Sequence, residues 1–341
     1  MSENPVPPTT PAKPRVLSGI QPSGILHLGN YLGAISNWVT DQAHYENFFM
    51  IADYHALTSV SDGAELRKNR REIVAMLLAC GIDPQQSVLF YQSQLPEHTE
   101  LGWIMTCLSP LGWLERMTQY KDKSAKYAQE SISTGLLTYP ALQAADILLY
   151  QAQGVPVGED QRQHVELTRD LAQRFNHLFG ETFTIPQVFI RKEGAKVMSL
   201  TEPVRKMSKS DKETDGRIEL LDTADVIRRK IRRAQTDSSR EIRFSDDPER
   251  AGVNNLLELY KILTHKEPAA ITAEFAGKGY GELKDAVADV VVAVVNPIRE
   301  EYQRLLADRA HIEQVMADGK ERAQAVARKT LGKVKKRIGM V

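Results

Sequence analysis

Shortages narrow the field first. Among 341 residues there are only two cysteines, Cys80 and Cys107, with no Cys-x-x-Cys pair and no Cys/His cluster. That excludes zinc and iron–sulfur ligation by cysteine and fits a reducing compartment. Both thiols sit in apolar, helix-like segments, so both are expected to be buried and free. Net charge is also missing: 44 basic residues balance 44 acidic ones. A bulk basic surface is excluded, and any nucleic-acid contact has to come from a local patch. No apolar run approaches the roughly 20 residues that span a bilayer, so no membrane partner is expected. Residues 1–14 hold five prolines and no apolar core, which reads as a disordered tail and not as a secretory signal or anchor. A cytoplasmic location is expected, with a matrix enzyme that has lost a transit peptide as the alternative.

What is present is ordinary for a globular enzyme, 42% apolar and 26% charged, with length enough for roughly two domains. Short buried strands at 16–20, 48–52 and 88–91 alternate with helices at about 30–39 and 65–80, the latter capped by Ser61 or Asp62 and stopped by Gly81. This alternation predicts an α/β fold with a Rossmann-type, doubly wound parallel sheet. Helices follow at 97–108, 136–151 and 161–179, with a strand and turn at 155–158. Beyond Ser210 the pattern is helical almost throughout: 225–234, 253–263, 284–309 and 312–336. A polar, turn-like stretch at 212–216 divides a catalytic domain, 15–215 with a helical insertion at about 97–150, from a helical domain, 216–341. In such sheets ligands bind at the carboxyl ends of strands, here the segment after Ile20 and residues 53–55.

Two distant segments carry chemistry. Pro22-Ser23-Gly24-Ile25-Leu26-His27-Leu28-Gly29-Asn30 reads as a turn opening a helix after a strand, and Lys206-Met207-Ser208-Lys209-Ser210 as a compact basic loop. His27 and Asn30, three apart, face one way and can donate to phosphate oxygens, while Gly24 and Gly29 allow close backbone approach. Such a pair can grip a triphosphate from both sides. Each alone is weak, because a histidine near a turn is more often structural and a Lys-Ser-Lys run is usually a solvated loop. Asp146 lies in an apolar helix, where a carboxylate is costly unless paired; an interior turn or a helix-to-helix bond is the plainer reading.

His27-Leu28-Gly29-Asn30 resembles a variant of the HIGH signature of class I aminoacyl-tRNA synthetases, and residues 206–210 match their KMSKS signature throughout. The chain is most similar to the bacterial and mitochondrial tryptophanyl-tRNA synthetase family. The strings that carry this are Ser18-Gly19-Ile20-Gln21-Pro22-Ser23-Gly24, Glu115-Arg116-Met117-Thr118-Gln119-Tyr120-Lys121, Gly135-Leu136-Leu137-Thr138-Tyr139-Pro140, Ala144-Ala145-Asp146-Ile147-Leu148-Leu149-Tyr150, Val155-Pro156-Val157-Gly158-Glu159-Asp160-Gln161 and Val197-Met198-Ser199-Leu200. They cover about residues 15–212; residues 232–238 and 277–281 match more loosely.

The resemblance implies a two-step reaction: L-tryptophan is activated by ATP with Mg2+ to tryptophanyl-adenylate, then transferred to tRNA(Trp). It implies that Gln21, Pro22, Ser23, His27, Gly29, Asn30, Gly158, Glu159, Asp160 and Val197 meet ATP, under a cover of Lys206, Met207, Ser208, Lys209 and Ser210. His27, Asn30, Lys206 and Lys209 take the catalytic roles, and Lys121 and Lys123 fall near pyrophosphate. Asp146 would accept the indole N–H, with Tyr139, Gln161, His55 and Gln143 around the amino acid. A homodimer is implied, and a helical region that reads the anticodon. There Lys320, Arg322, Arg328, Lys329, Lys333, Lys335, Lys336 and Arg337 form a basic stretch for phosphate contacts or a solvated face. Leu17 and Gln143 depart from the Phe and Met of many relatives. Tyr139-x3-Gln143-x2-Asp146 also suits tyrosyl-tRNA synthetases, so a tyrosine enzyme remains the alternative. A catalytically silent tRNA-binding paralogue and a small-acid adenylating enzyme are more remote.

Overall fold

Five short apolar runs build the centre of the molecule. The computed structural model describes residues 13–59, 62–124, 132–190, 196–208, 214–239 and 241–341, without the side chains of Lys123, Asp160 and Ile190. Strands β1 (Arg15–Ile20), β2 (Glu46–Ile51), β3 (Val88–Tyr91), β4 (Gly154–Val157) and β5 (Gln187–Ile190) pair in parallel, in the order β3-β2-β1-β4-β5. Successive side chains go to opposite faces. Phe49, Ile51, Leu89 and Tyr91 enter one core, and Phe48, Met50, Val88 and Phe90 enter the other. Both faces are covered, which is why these strands read as unbroken apolar runs. β5 was not expected from the pattern. It docks against β4 because Gly154 has no side chain: a Cβ there would lie 2.0 Å from the Phe189 ring.

On the first face, α1 (Leu28–Asn30) passes through a π turn (Tyr31–Ile35) into α2 (Ser36–Asp41), where one continuous helix was expected. α3 (Asp53–Ala56) is a single turn at the end of β2. α4 (Gly63–Ala79) is capped by Asp62, whose Oδ1 accepts from the Ala64 N–H at 2.8 Å. The chain then turns at Gly81 with φ +105°. The second face is covered by α5 (Glu97–Leu108), α6 (Leu111–Glu115), α7 (Thr118–Ser124), α8 (Thr134–Leu149) and α9 (Arg162–Phe179).

The helical second half shares these cores. α10 (Ala224–Arg232), α11 (Ala251–Thr264), α12 (Pro268–Glu274) and α13 (Tyr280–Ala307) join α1, α2 and α4 in one apolar cluster. α14 (Arg309–Arg337) returns across β3 and adds Ala323, Ala327, Leu331 and Val334 to the other. Gly319 makes that crossing possible, since a Cβ there would sit 1.8 Å from the Leu89 carbonyl oxygen. Gly319→Ala is therefore expected to cost about 3 kcal/mol of stability, read as a lower urea midpoint with unchanged slope.

Part of the basic stretch on α14 serves packing. Arg322 donates to the carbonyls of Pro84 (2.7 Å) and Ser87 (3.0 Å). Arg328 pairs with the buried Glu97 at 3.0 Å, and Lys335 with Glu100 at 2.8 Å. Cys80 is buried, which pushes its thiol up to about 12. Cys107 corrects the sequence reading: it is exposed, because it stands one turn from the outward-facing Trp103 on α5. Among the described residues no helix is long and apolar enough to cross a membrane.

Candidate active site

From β1 the chain runs outward through β2 and β3, then returns to place β4 on the other side of β1. Strand order thus reverses between β1 and β4, and the crevice at their carboxyl ends is where ligands bind in open α/β sheets. A cavity of about 410 Å³ opens there, walled by Leu17, Ser18 and Gly19 of β1 and by Val155, Pro156 and Val157 of β4. That volume falls among small-molecule pockets, roughly 300–1,000 Å³. Six residues picked from the sequence line it together: Gln21, His55, Tyr139, Gln143, Asp146 and Gln161.

Asp146 projects from α8 and is 1% exposed. Its Oδ2 lies 2.7 Å from His55 Nε2, and its Oδ1 lies 2.7 Å from His98 Nδ1. The Gln92 side-chain amide donates to both oxygens at 2.9 Å. Burial by itself would raise the carboxyl pKa, but the hydrogen bonds from His55 and His98 overcome it and hold the group at about 2. Asp146 is therefore an ionised acceptor on the wall of a cavity of mixed polar and apolar lining.

His55 reaches this position because α3 is pinned at its start. The Asp53 carboxylate accepts from the Ser93 N–H (2.9 Å) and hydroxyl (2.6 Å) and pairs with Arg70 at 2.8 Å. The Tyr54 N–H donates to Gln92 Oε1 at 3.1 Å. Tyr139 packs edge-on to His55. Its hydroxyl donates to Gln119 Oε1 at 3.3 Å and lies 2.7 Å from His164 Nε2. Burial pushes that hydroxyl up to about 12.

Sequence reasoning missed Gln92, His98 and Ser18. A histidine or glutamine inside an apolar pattern carries no local mark of what it will bond. Ser18 Oγ is buried on the cavity wall with no hydrogen-bond partner among the described residues, and only its place on a strand distinguished it.

The second group of expected residues forms a separate web. His27 caps α1: its Nδ1 accepts from the Asn30 N–H at 3.3 Å, and Asn30 Oδ1 accepts from the His27 N–H at 3.1 Å. The two side chains thus bond one another's backbone, and an accepting Nδ1 places the ring proton on Nε2. Gly29 leaves room for the His27 ring, because a Cβ there would lie 3.0 Å from His27 Nδ1, and Val197 packs beside it at an ordinary 3.6 Å. Val197 accepts from the Met207 N–H at 3.0 Å, and Met198 bridges Lys206 in antiparallel fashion. Leu28 donates to the Ile218 carbonyl at 2.8 Å, and Leu220 to that of Leu26 at 2.9 Å. Leu200 donates to the Gly216 carbonyl at 2.8 Å, so the strips that hold the two signatures, about 180 residues apart in sequence, are tied to each other. Asn255 of α11 clamps the same stem, exchanging 3.1 Å bonds with both backbone groups of Met198.

Pro22 is buried, Ser23 is exposed, and Gly24 turns the chain with φ +64°. Gly158 and Glu159 are exposed at the end of β4, and Glu159 pairs with Arg162 at 3.2 Å. Met207 is buried; Lys206 and Lys121 are exposed, and Ser208 is half-buried. Apart from Gln21, none of the described residues expected at ATP lines the cavity. Lys209, Ser210 and the side chains of Lys123 and Asp160 lie outside the described residues.

The model of the tRNA synthetases class I (W and Y) matches residues 10–296 of the chain. Over 336 residues the chain is 48% identical to the tryptophan–tRNA ligase of Gloeobacter violaceus, covering 98% of this chain and 99% of that protein. The fold is similar to the crystal structure of tryptophanyl-tRNA synthetase from Mycoplasma pneumoniae, with a TM-score of 0.85 and 40% identity, covering 96% of this chain and 98% of that one. It is also similar to the enzyme from Campylobacter jejuni complexed with ADP and tryptophan, with a TM-score of 0.82 and 38% identity, over 95% and 99% of the two chains.

Proposed function

Because this chain belongs to the tRNA synthetases of class I (W and Y), we infer that the cavity between β1 and β4 is where tryptophan meets ATP. The protein is a tryptophan–tRNA ligase. The amino acid's carboxylate attacks the α-phosphate of ATP, pyrophosphate leaves, and a terminal ribose hydroxyl of the tRNA then takes the tryptophanyl group from AMP. The first step needs alignment and charge compensation more than any covalent help from the protein.

The observation that carries this reading is Asp146, a buried ionised acceptor on the cavity wall. In this reading it accepts the indole N–H, with His55 and Gln143 beside it and Tyr139 and Gln161 at the amino and carboxylate end. A site built for one hydrogen bond strongly rejects ligands that lack the donor. Gln21, Pro22, Ser23, His27, Gly29, Asn30 and Val197 would hold the nucleotide at the helix tip, and Gly158, Glu159 and Asp160 its ribose. Residues 206–210 would close over the phosphates, with Lys121 and Lys123 near the departing pyrophosphate. Mg2+ would arrive with ATP, bound to its phosphates. The helical half would receive the tRNA, and a cytoplasmic location suits that partner.

Pyrophosphate exchange with each of the twenty amino acids tests the reading. Exchange driven by tryptophan alone is expected; exchange driven by tyrosine would transfer the chain to the other branch of its family.

A homodimer belongs to the same proposal. Leu57 and Trp103, 59% and 69% exposed, rim a groove beside His55 and Tyr139. Trp103→Glu is expected to convert a dimer to a monomer in sedimentation equilibrium, and a wild-type monomer at micromolar concentration would refute the assembly.

A further inference from the structure

Asp146 takes its hydrogen bonds from three side chains, and only His55 among them lines the cavity. Gln92 and His98 approach from behind, both 0% exposed. An ionised carboxylate can only accept, so His98 Nδ1 carries a proton. The other nitrogen, Nε2, lies 2.8 Å from the Tyr150 hydroxyl. Burial, and then the charges of Asp146 and Glu97, hold the Tyr150 hydroxyl well above its ordinary pKa, so it keeps its proton and can donate to an unprotonated His98 Nε2. The result is a directed chain from Tyr150 O–H to His98 Nε2, and from His98 Nδ1–H to Asp146 Oδ1. The His98 ring is boxed by Phe90 and Tyr150, with centroids 5.9 and 5.6 Å away. Glu97, the residue before it, is tied to Gln324 and Arg328 of α14. The start of α5 is therefore held from two sides.

We propose that His98, kept in its Nδ1–H form by Tyr150, is a positioning residue that aims Asp146 at the cavity and so sets the affinity for tryptophan. This rests on the tryptophan reading above. His98 touches no substrate; it acts by occupying the rear lone pair of the acceptor, leaving the front of Asp146 to His55 and the ligand.

Two substitutions separate the donor from the bulk of the ring. Asn at position 98 places an N–H where Nδ1 stood and loses the reach to Tyr150. Gln places its polar end where Nε2 stood and leaves Asp146 Oδ1 with the Gln92 amide as its one remaining donor. In pyrophosphate exchange, His98→Gln is expected to raise KM for tryptophan about tenfold with kcat within about threefold, the loss of one charge-assisted hydrogen bond. His98→Asn should stay within about threefold of wild type, and Tyr150→Phe should raise KM in the same direction as His98→Gln but less. A His98→Gln enzyme with wild-type KM would overturn the proposal. So would a folded His98→Asn enzyme impaired as much as His98→Gln, since that marks simple packing. If His98→Gln does not fold, Tyr150→Phe decides, and an unchanged KM would end the idea. Wild-type enzyme that exchanges with tyrosine would defeat the underlying reading as well; wild-type exchange with tryptophan beside any of the other adverse results would defeat the role of His98 alone.

Discussion

Asp146→Asn is expected to lower kcat/KM for tryptophan by about a thousandfold, most of it in KM. Asn keeps the shape but offers one acceptor oxygen and a donating NH2 group. With Gln92, His98 and His55 all directed at this position, that NH2 must face a donor or the ligand. Losing one charge-assisted bond costs about 1.5–3 kcal/mol, and an unsatisfied buried donor adds about 1–3 more. Exchange kinetics at saturating ATP, compared for tryptophan, tyrosine and phenylalanine, measure the effect. Unaltered selectivity would reduce Asp146 to a structural role. The same variant has a signature in stability. The carboxyl is held at about 2 against an ordinary 3.8. A depressed native pKa contributes stability that is present above the unfolded value and lost as pH falls through the folded one. About 2 kcal/mol should therefore disappear between about pH 4 and pH 2 in wild type and not in the Asn variant. Urea melts across that window would show it, and parallel curves for the two proteins would contradict the assignment.

Lys209→Ala is expected to reduce the adenylation rate about 100- to 1,000-fold while KM for tryptophan stays within about threefold, the behaviour of a group that meets charge formed only in the transition state. Lys206→Ala should act in the same direction. The loop's stem explains how such cations could be presented without being buried. Met207 anchors in the core and bonds Val197, Asn255 fixes Met198, and Lys206 stays exposed. Single-turnover adenylate formation with tryptophan titrated separately from ATP makes the distinction. A loss of tryptophan affinity as large as the loss of rate would remove these lysines from the phosphate site.

Much of the architecture was legible because its signals are local. Apolar runs such as Phe48-Phe49-Met50-Ile51, the Asp62 cap and the Gly81 stop all act over a few residues. β5 escaped because four residues beginning with Gln carry too little pattern, and its pairing depends on a glycine 33 positions earlier accepting an aromatic ring. Cys107 was misread because an apolar composition does not say which face of α5 points outward. Gln92 and His98 left no trace, since both look like polar residues in a core until α8 brings a carboxylate to them.

By itself the sequence determined the parallel sheet, the order of its helices and the two signature segments, because short-range periodicity, capping and spacing are written residue by residue. Only the tertiary structure decided that Asp146 is a charged acceptor, that its proton-donating support comes from Gln92 and His98, and that residues 27–30 and 197–207 are held together through residues 216–220. The physical reason is that a buried group's charge and direction are set by the partners that surround it, and here those partners arrive from segments about 50 to 180 residues away.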